Sequence, residues 1–266
     1  IARLEQRARP LARDGGRLAT LEAALGFFAP DVEVLAFPAW DCLPYDRVSP
    51  TPEVVARRMA TLSRLVKPAA QGRPVVLLTT VNAIVQRIPE RALVAAETFS
   101  AVPGNRVDMA DLVRWLENNG FSRTPTVRET GEYAVRGGIL DLFAPGSEAP
   151  VRLDFFGDTL ESIRRFDAET QRTTQALKRL EWVPMSEVTI VPDTVSRFRR
   201  AYVARFGATT KDDALYQAIS DGRRYAGMEH WLPLFHERLE TLFDYVAEAP
   251  VVLEAQADEV LRERLG

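Results

Sequence analysis

The chain has 266 residues, of which 46% are hydrophobic and 27% charged. That excludes a disordered tail and is enough chain for a sizeable core, more naturally two domains than one. Its 34 Lys and Arg stand against 37 Asp and Glu, a net charge of −3, so no global field draws it onto nucleic acid or an anionic membrane and any basic binding surface must be local.

The start, IARLEQRARP, reads as a helical fragment without an initiator Met or the apolar core of a signal peptide, as in a piece of a longer polypeptide. Asp14 is a candidate N-cap, with Leu18, Leu21, Leu25 and Phe28 at helical spacing behind it. VEVLAF (32–37) reads as a short buried strand, and the proline-punctuated loop after it ends with Thr51 and Pro52 at the cap and first turn of a helix running to about Val66. RPVVLLTT (73–80) is an apolar strand of the sort buried in parallel sheets, so this opening predicts an α/β layer.

Near Thr98 the texture changes. A helix from an Asp108 cap to a Gly120 stop precedes closely spaced strand candidates: FSRTPTV, YAVRGGILDLF, VRLDFF, TLESIRRF and QALKRLEWV, with Gly157-Asp158 as a hairpin turn. This predicts an antiparallel α+β insert at roughly 98–183. From Pro184 helical patterns return (VSRFRRAYVARF, DALYQAIS), followed by the strand PVVLEA and a last helix, as though the first layer resumed.

Alternation in VRLDFF puts Val151, Leu153 and Phe155 on one face and Arg152, Asp154 and Phe156 on the other. The second face is either solvated, with Phe156 covered by the helix at 108–119, or an interface, since arginine and aromatic side chains are enriched at interface centres. Arg136 shares that ambiguity, and the Gly137-Gly138 pair after it suggests a bulge or the close approach of another backbone.

Elsewhere the blander readings prevail. The loop with Trp40 and Tyr45 offers aromatics for stacking on bases, but is more simply a packing device. The pairs Arg57-Arg58, Arg164-Arg165, Arg199-Arg200 and Arg223-Arg224 read as solvated faces. The single cysteine, Cys42, excludes an intrachain disulfide and fits a cytoplasmic location, and His230 and His236 have no metal-ligand pattern around them. No apolar run approaches the ~18 residues of a membrane span. No G-x-x-x-x-G-K-[ST] string occurs, ARDGGRLAT has neither the lysine nor the hydroxyl at the right place, and PVVLEAQ offers only Glu254 where a motor ATPase has paired acids.

Three blocks, FPAWDCLPYDRVSPTPEVVARRMATL, GEYAVRGGILDLFAPGSEAPVRLDFFGDTLESIRRFDAETQRT and GMEHWLPLF, resemble the N-terminal region of the bacterial transcription-repair coupling factors, a region itself similar to UvrB. The resemblance runs in order over nearly the whole chain. It implies a degenerate helicase-like (RecA-like, P-loop-type) α/β domain with a parallel sheet, residues 1–97 and 184–266, interrupted at 98–183 by an α+β, mainly antiparallel domain that docks UvrA.

By motif, Arg136, Arg152 and Phe156 fall on family positions implicated in holding UvrA. The resemblance also implies that this segment has no catalytic, cofactor-binding or metal residues, that its phosphate-loop equivalent would lie before Ile1, and that ATP and Mg²⁺ belong to a motor further along the parent protein. RNA polymerase, double-stranded DNA and a C-terminal domain masking the docking face would be partners in the full-length protein, with no membrane partner.

Overall fold

The computed structural model describes residues 7–12, 14–43, 47–67, 73–207, 212–246 and 249–254, together with 257, 259, 260 and 262. The last helix expected from the sequence falls mostly outside these residues.

The chain opens with β1 (Arg7–Ala12), α1 (Gly15–Phe28), β2 (Glu33–Phe37), α2 (Pro52–Val66), β3 (Val75–Thr80), α3 (Val81–Ile84), β4 (Ile88–Pro89) and α4 (Arg91–Ala96). From Arg7 on, β1 corrects the expected helical fragment, whose first six residues lie outside the described ones. Pro10 denies a helix interior its N–H, and parallel ladders on both sides, to β3 and to a late strand at Val251–Leu253, hold the segment extended. The resulting four-stranded sheet is parallel throughout and follows the order late strand, β1, β3, β2.

Asp14 caps α1 by accepting from the Arg17 backbone N–H at 2.9 Å, and Leu18, Leu21 and Leu25 pack on Ala36 and Leu78 of the sheet. Phe28 keeps its helical spacing but is not buried: it is 81% exposed in the last turn, edge-on to an equally uncovered Phe27. Thr51 and Pro52 open α2 as expected.

Next come β5 (Phe99–Ala101), α5 (Met109–Asn118), β6 (Ser122–Arg123), β7 (Glu132–Arg136), β8 (Ile139–Leu142), β9 (Val151–Phe156), β10 (Thr159–Phe166), β11 (Thr173–Ala176) and β12 (Leu180–Trp182). A six-stranded sheet runs β11-β10-β9-β8-β7-β6, antiparallel except for the β6–β7 pair. α5, capped by Asp108 and stopped at Gly120 with φ +89°, lays Leu112 and Leu116 against Tyr133, Leu140, Leu153, Phe155 and Ile163.

Two sequence expectations change here. YAVRGGILDLF is a hairpin rather than one strand: Gly137 turns at φ +59°, and Gly138 exposes backbone that accepts from Phe155 N–H at 2.7 Å. QALKRLEWV is split between sheets, because Trp182 pairs away with β5 and stacks on Phe99 at 4.6 Å. A Cβ on Gly138 would lie 2.7 Å from the Phe155 carbonyl oxygen. Gly138→Ala is therefore expected to destabilise the fold by about 1–3 kcal/mol in a denaturant titration.

The chain closes with α6 (Pro192–Phe206), α7 (Ala214–Ser220), α8 (Leu232–Phe235), β13 (Leu239–Glu240), α9 (Leu242–Tyr245) and β14 (Val251–Leu253), the late strand of the parallel sheet. Phe198, Tyr202, Ile219, Met228 and Phe235 form their own core, and β13 returns to pair with β4. Among the described residues no helix is long and apolar enough to cross a membrane.

A buried ion pair joins the parts. Arg58 of α2 is fully enclosed, with Nε donating to Glu187 Oε1 at 2.5 Å, Nη1 donating to Pro38 O and Gln86 Oε1, and its plane 4.2 Å from the Phe37 ring. The solvated reading of the arginine pairs thus fails at Arg58, and also at Arg224, which donates to Val188 O and Ser186 Oγ. It holds at Arg199 and Arg200, which are exposed. Trp40 donates to Glu187 and packs edge-on to His230, a packing role; Tyr45 lies outside the described residues. Burial keeps His236 below the ordinary imidazole range, so in the neutral form its Nε2–H can donate to the Glu187 carbonyl at 3.0 Å.

Candidate partner-docking face

Because side chains alternate across a strand, burying one face of the six-stranded sheet under α5 turns the other face outward. Register then decides which outward residues meet. The two-residue turn at Gly137-Gly138 sets Arg136 opposite Ile139 and Ala134 opposite Asp141; Asp141 in turn faces Arg152, and Arg152 faces Arg164. One row along, Ile139 faces Asp154 and Asp154 faces Ser162, and beyond them Phe156 faces Thr159. Successive rows are about 7 Å apart, two residues of a strand.

Asp141 is the centre of this face. It is 1% exposed, and the Arg152 guanidinium grips it as a fork, Nε to Oδ1 at 2.7 Å and Nη2 to Oδ2 at 2.8 Å. Arg136 Nη2 shares Oδ2 at 3.2 Å. The hydrogen bonds to Asp141 push Arg152 above its ordinary pKa. Arg152 also lies 4.9 Å from the ring of buried Phe166, which packs with Val127, Ala134 and Phe143 beneath the face.

A second carboxylate repeats the pattern. Burial alone would raise Asp154, yet the Ser162 hydroxyl and the Arg164 guanidinium, together with the field of Arg152, hold it below its ordinary value. Three guanidinium groups thus face two carboxylates, leaving one net positive charge on a patch of a protein whose overall charge is negative.

The sequence-predicted residues share one face but are not equivalent: Asp141 joins Arg136 and Arg152, and Phe156 stands two rows from Arg152. Arg152 is pinned, with a side chain only 19% exposed, whereas Arg136 is 54% exposed and reaches outward. Phe156 is 78% exposed, so α5 does not cover it; that helix packs on the opposite face with Phe155. Asp141 and Phe166 escaped the sequence reading. The signal was there: treating Gly137-Gly138 as a two-residue hairpin would have put Asp141 in register with Ala134 and on the outward face. Among the described residues no cluster of three or more His, Cys, Asp or Glu could hold a metal.

Residues 100–188, which include all four strands of the face, match the UvrB interaction domain family. The chain is 35% identical over 233 residues to the transcription-repair-coupling factor of Haemophilus influenzae, covering 87% of this chain and 20% of that protein. It is 35% identical over 216 residues to the Escherichia coli K12 factor (81% and 18%) and 38% identical over 229 residues to the Myxococcus xanthus factor (82% and 19%). The chain spans about a fifth of the length of these relatives. It belongs to the family of the transcription-repair-coupling factors, as a segment that carries their UvrB interaction domain.

Proposed function

We propose that this chain is a non-catalytic docking module that binds UvrA through Arg136, Arg152 and Phe156, and that within the full-length factor it brings UvrA to RNA polymerase stalled at DNA damage. The observation that carries this reading is a 78% exposed Phe156 on the same sheet face as two arginines that share one buried carboxylate, inside the residues that match the UvrB interaction domain. An exposed aromatic with directed cationic neighbours has the make-up of an interface centre. On this reading residues 98–183 act as the docking unit, and 1–97 with 184–266 form a helicase-like support that has lost its chemistry. A C-terminal domain of the parent protein would mask the same face, and the ATP-driven, DNA-translocating motor would lie in the rest of that protein.

The rival is a nucleotide-binding half-domain. β1 and α1 form a strand–turn–helix unit of the general kind that can cradle phosphate. Its helix N-terminus is already capped by the Asp14 carboxylate, and Arg17 in the first turn is paired with Glu254 just after β14. A phosphate would meet a negative charge where it needs free N–H groups. Mg-ATP is therefore expected to leave the melting temperature unmoved, whereas occupancy at 100 times a dissociation constant would add about 2.7 kcal/mol. A DNA-binding reading is disfavoured by the near-neutral charge balance and by the packed position of Trp40.

Calorimetric titration of purified UvrA with this chain tests the proposal. Saturable binding that weakens in Arg152→Ala, with the variant's melt checked first, supports it. A folded wild-type chain that does not bind UvrA rejects it.

A further inference from the structure

Resting on the docking reading, we infer that Asp141 is the positioning residue of the face, holding Arg152 in a preformed fork and tethering Arg136 beside it so that a partner carboxylate meets two aligned guanidinium groups. Asp141 sits in β8 between Leu140 and Leu142, both fully buried in the core under α5. For the sheet alone an apolar or small residue would serve there, as Ala134 does in the facing position of β7. A buried carboxylate carries a desolvation cost that only close, hydrogen-bonded cations offset. Here those cations are the two arginines assigned to the partner, and both carboxylate oxygens are used on them.

The arrangement leaves donors that Asp141 does not use. Arg152 spends Nε and Nη2 on Asp141, and its Nη1 makes only a long contact to the Gln171 carbonyl at 3.5 Å. Gln171 itself sits at φ +60°, a left-handed conformation uncommon for a residue with a side chain, so the segment that brings this carbonyl to Arg152 is held under strain. Arg136 commits only Nη2, and among the described residues its other guanidinium nitrogens have no hydrogen bond. Freezing a long side chain is part of the ordinary cost of association, and Asp141 meets that cost for Arg152 before the partner arrives. Asp141 touches the partner through neither oxygen; it acts through the arginines.

The test reads the free protein and the complex separately. In ¹H–¹⁵N spectra of the free wild-type chain, the Arg152 Nε–Hε group is expected as a resolved signal exchanging with water at least tenfold more slowly than that of exposed Arg199. In Asp141→Asn, which keeps size but removes the charge and one acceptor oxygen, that protection is expected to disappear and UvrA affinity to fall tenfold or more. In an Arg152→Ala/Arg136→Ala background the same change is expected to alter affinity less than twofold, because nothing is left to position. The proposal is overturned if Arg152 Hε exchanges as fast as Arg199 Hε in the wild type, a result that stands even should Asp141→Asn fail to fold. A folded Asp141→Asn chain with wild-type affinity overturns it equally. Failure of the docking reading looks different: the wild-type chain shows a protected Arg152 yet binds no UvrA.

Discussion

Arg58→Ala is expected to cost the fold about 3–5 kcal/mol, the cost of leaving a buried charge without its partner. Arg58 and Glu187 are the two ends of a contact that is 0% and 2% exposed, and the substitution would strand the Glu187 carboxylate with only the Trp40 indole N–H among its side-chain donors. It would also leave Gln86 Oε1 with only the long contact from the Trp40 backbone N–H at 3.4 Å, and strip the cation from the Phe37 ring. For a chain of this size that corresponds to a melting temperature lower by roughly 6–20 °C. Arg57→Ala one residue earlier, where the pair with Glu22 is more than a third exposed on both sides, is expected to change stability by less than about 1 kcal/mol. Paired thermal melts of the two variants check the contrast. Because Arg58 and Glu187 act as one unit, the double replacement should cost less than the sum of the two single ones.

Phe156→Ala is expected to weaken UvrA binding by about 2 kcal/mol or more, roughly thirtyfold, while leaving the melt almost unchanged. The separation follows from exposure: a ring that is 78% in solvent contributes little to the fold and has most of its surface still to bury. Arg136→Ala should act on a different rate. Its guanidinium is more than half exposed at the rim of the face, so its loss should slow association and flatten the dependence of that rate on salt. Arg152→Ala combines both kinds of effect, since it leaves buried Asp141 with Arg136 alone, and its binding must be read beside its own melt. Stopped-flow association rates at two ionic strengths, with equilibrium affinities, distinguish the three.

Local pattern made much of this architecture legible. Period-two alternation in VRLDFF and the turn at Gly157-Asp158 correspond to β9, its hairpin and the buried side of the sheet. Capping chemistry at Asp14, Asp108 and Thr51-Pro52 marked the starts of α1, α5 and α2. What pattern missed depends on partners distant in sequence. β1 is a strand because β3 and β14 flank it, and Arg58 is a core residue because Glu187, 129 positions later, folds back onto it. The candidate site divides in the same way. Arg136, Arg152 and Phe156 could be found from their motifs, whereas Asp141 acquires its role only when two hairpins set it against Arg152, a relation hidden once AVRGGILDLF is taken as a single strand.

Hydroxyl-radical footprinting of the chain, free and saturated with UvrA, tests the central claim most directly because it reads the solvent exposure of each aromatic ring. Phe156, Phe27 and Phe28 are similarly open in the free protein, at 78%, 78% and 81%, so the latter two serve as internal controls on another surface. The account predicts strong protection of Phe156 in the complex with Phe27 and Phe28 still labelled. A saturated complex in which Phe156 is labelled as fast as in the free chain would contradict it.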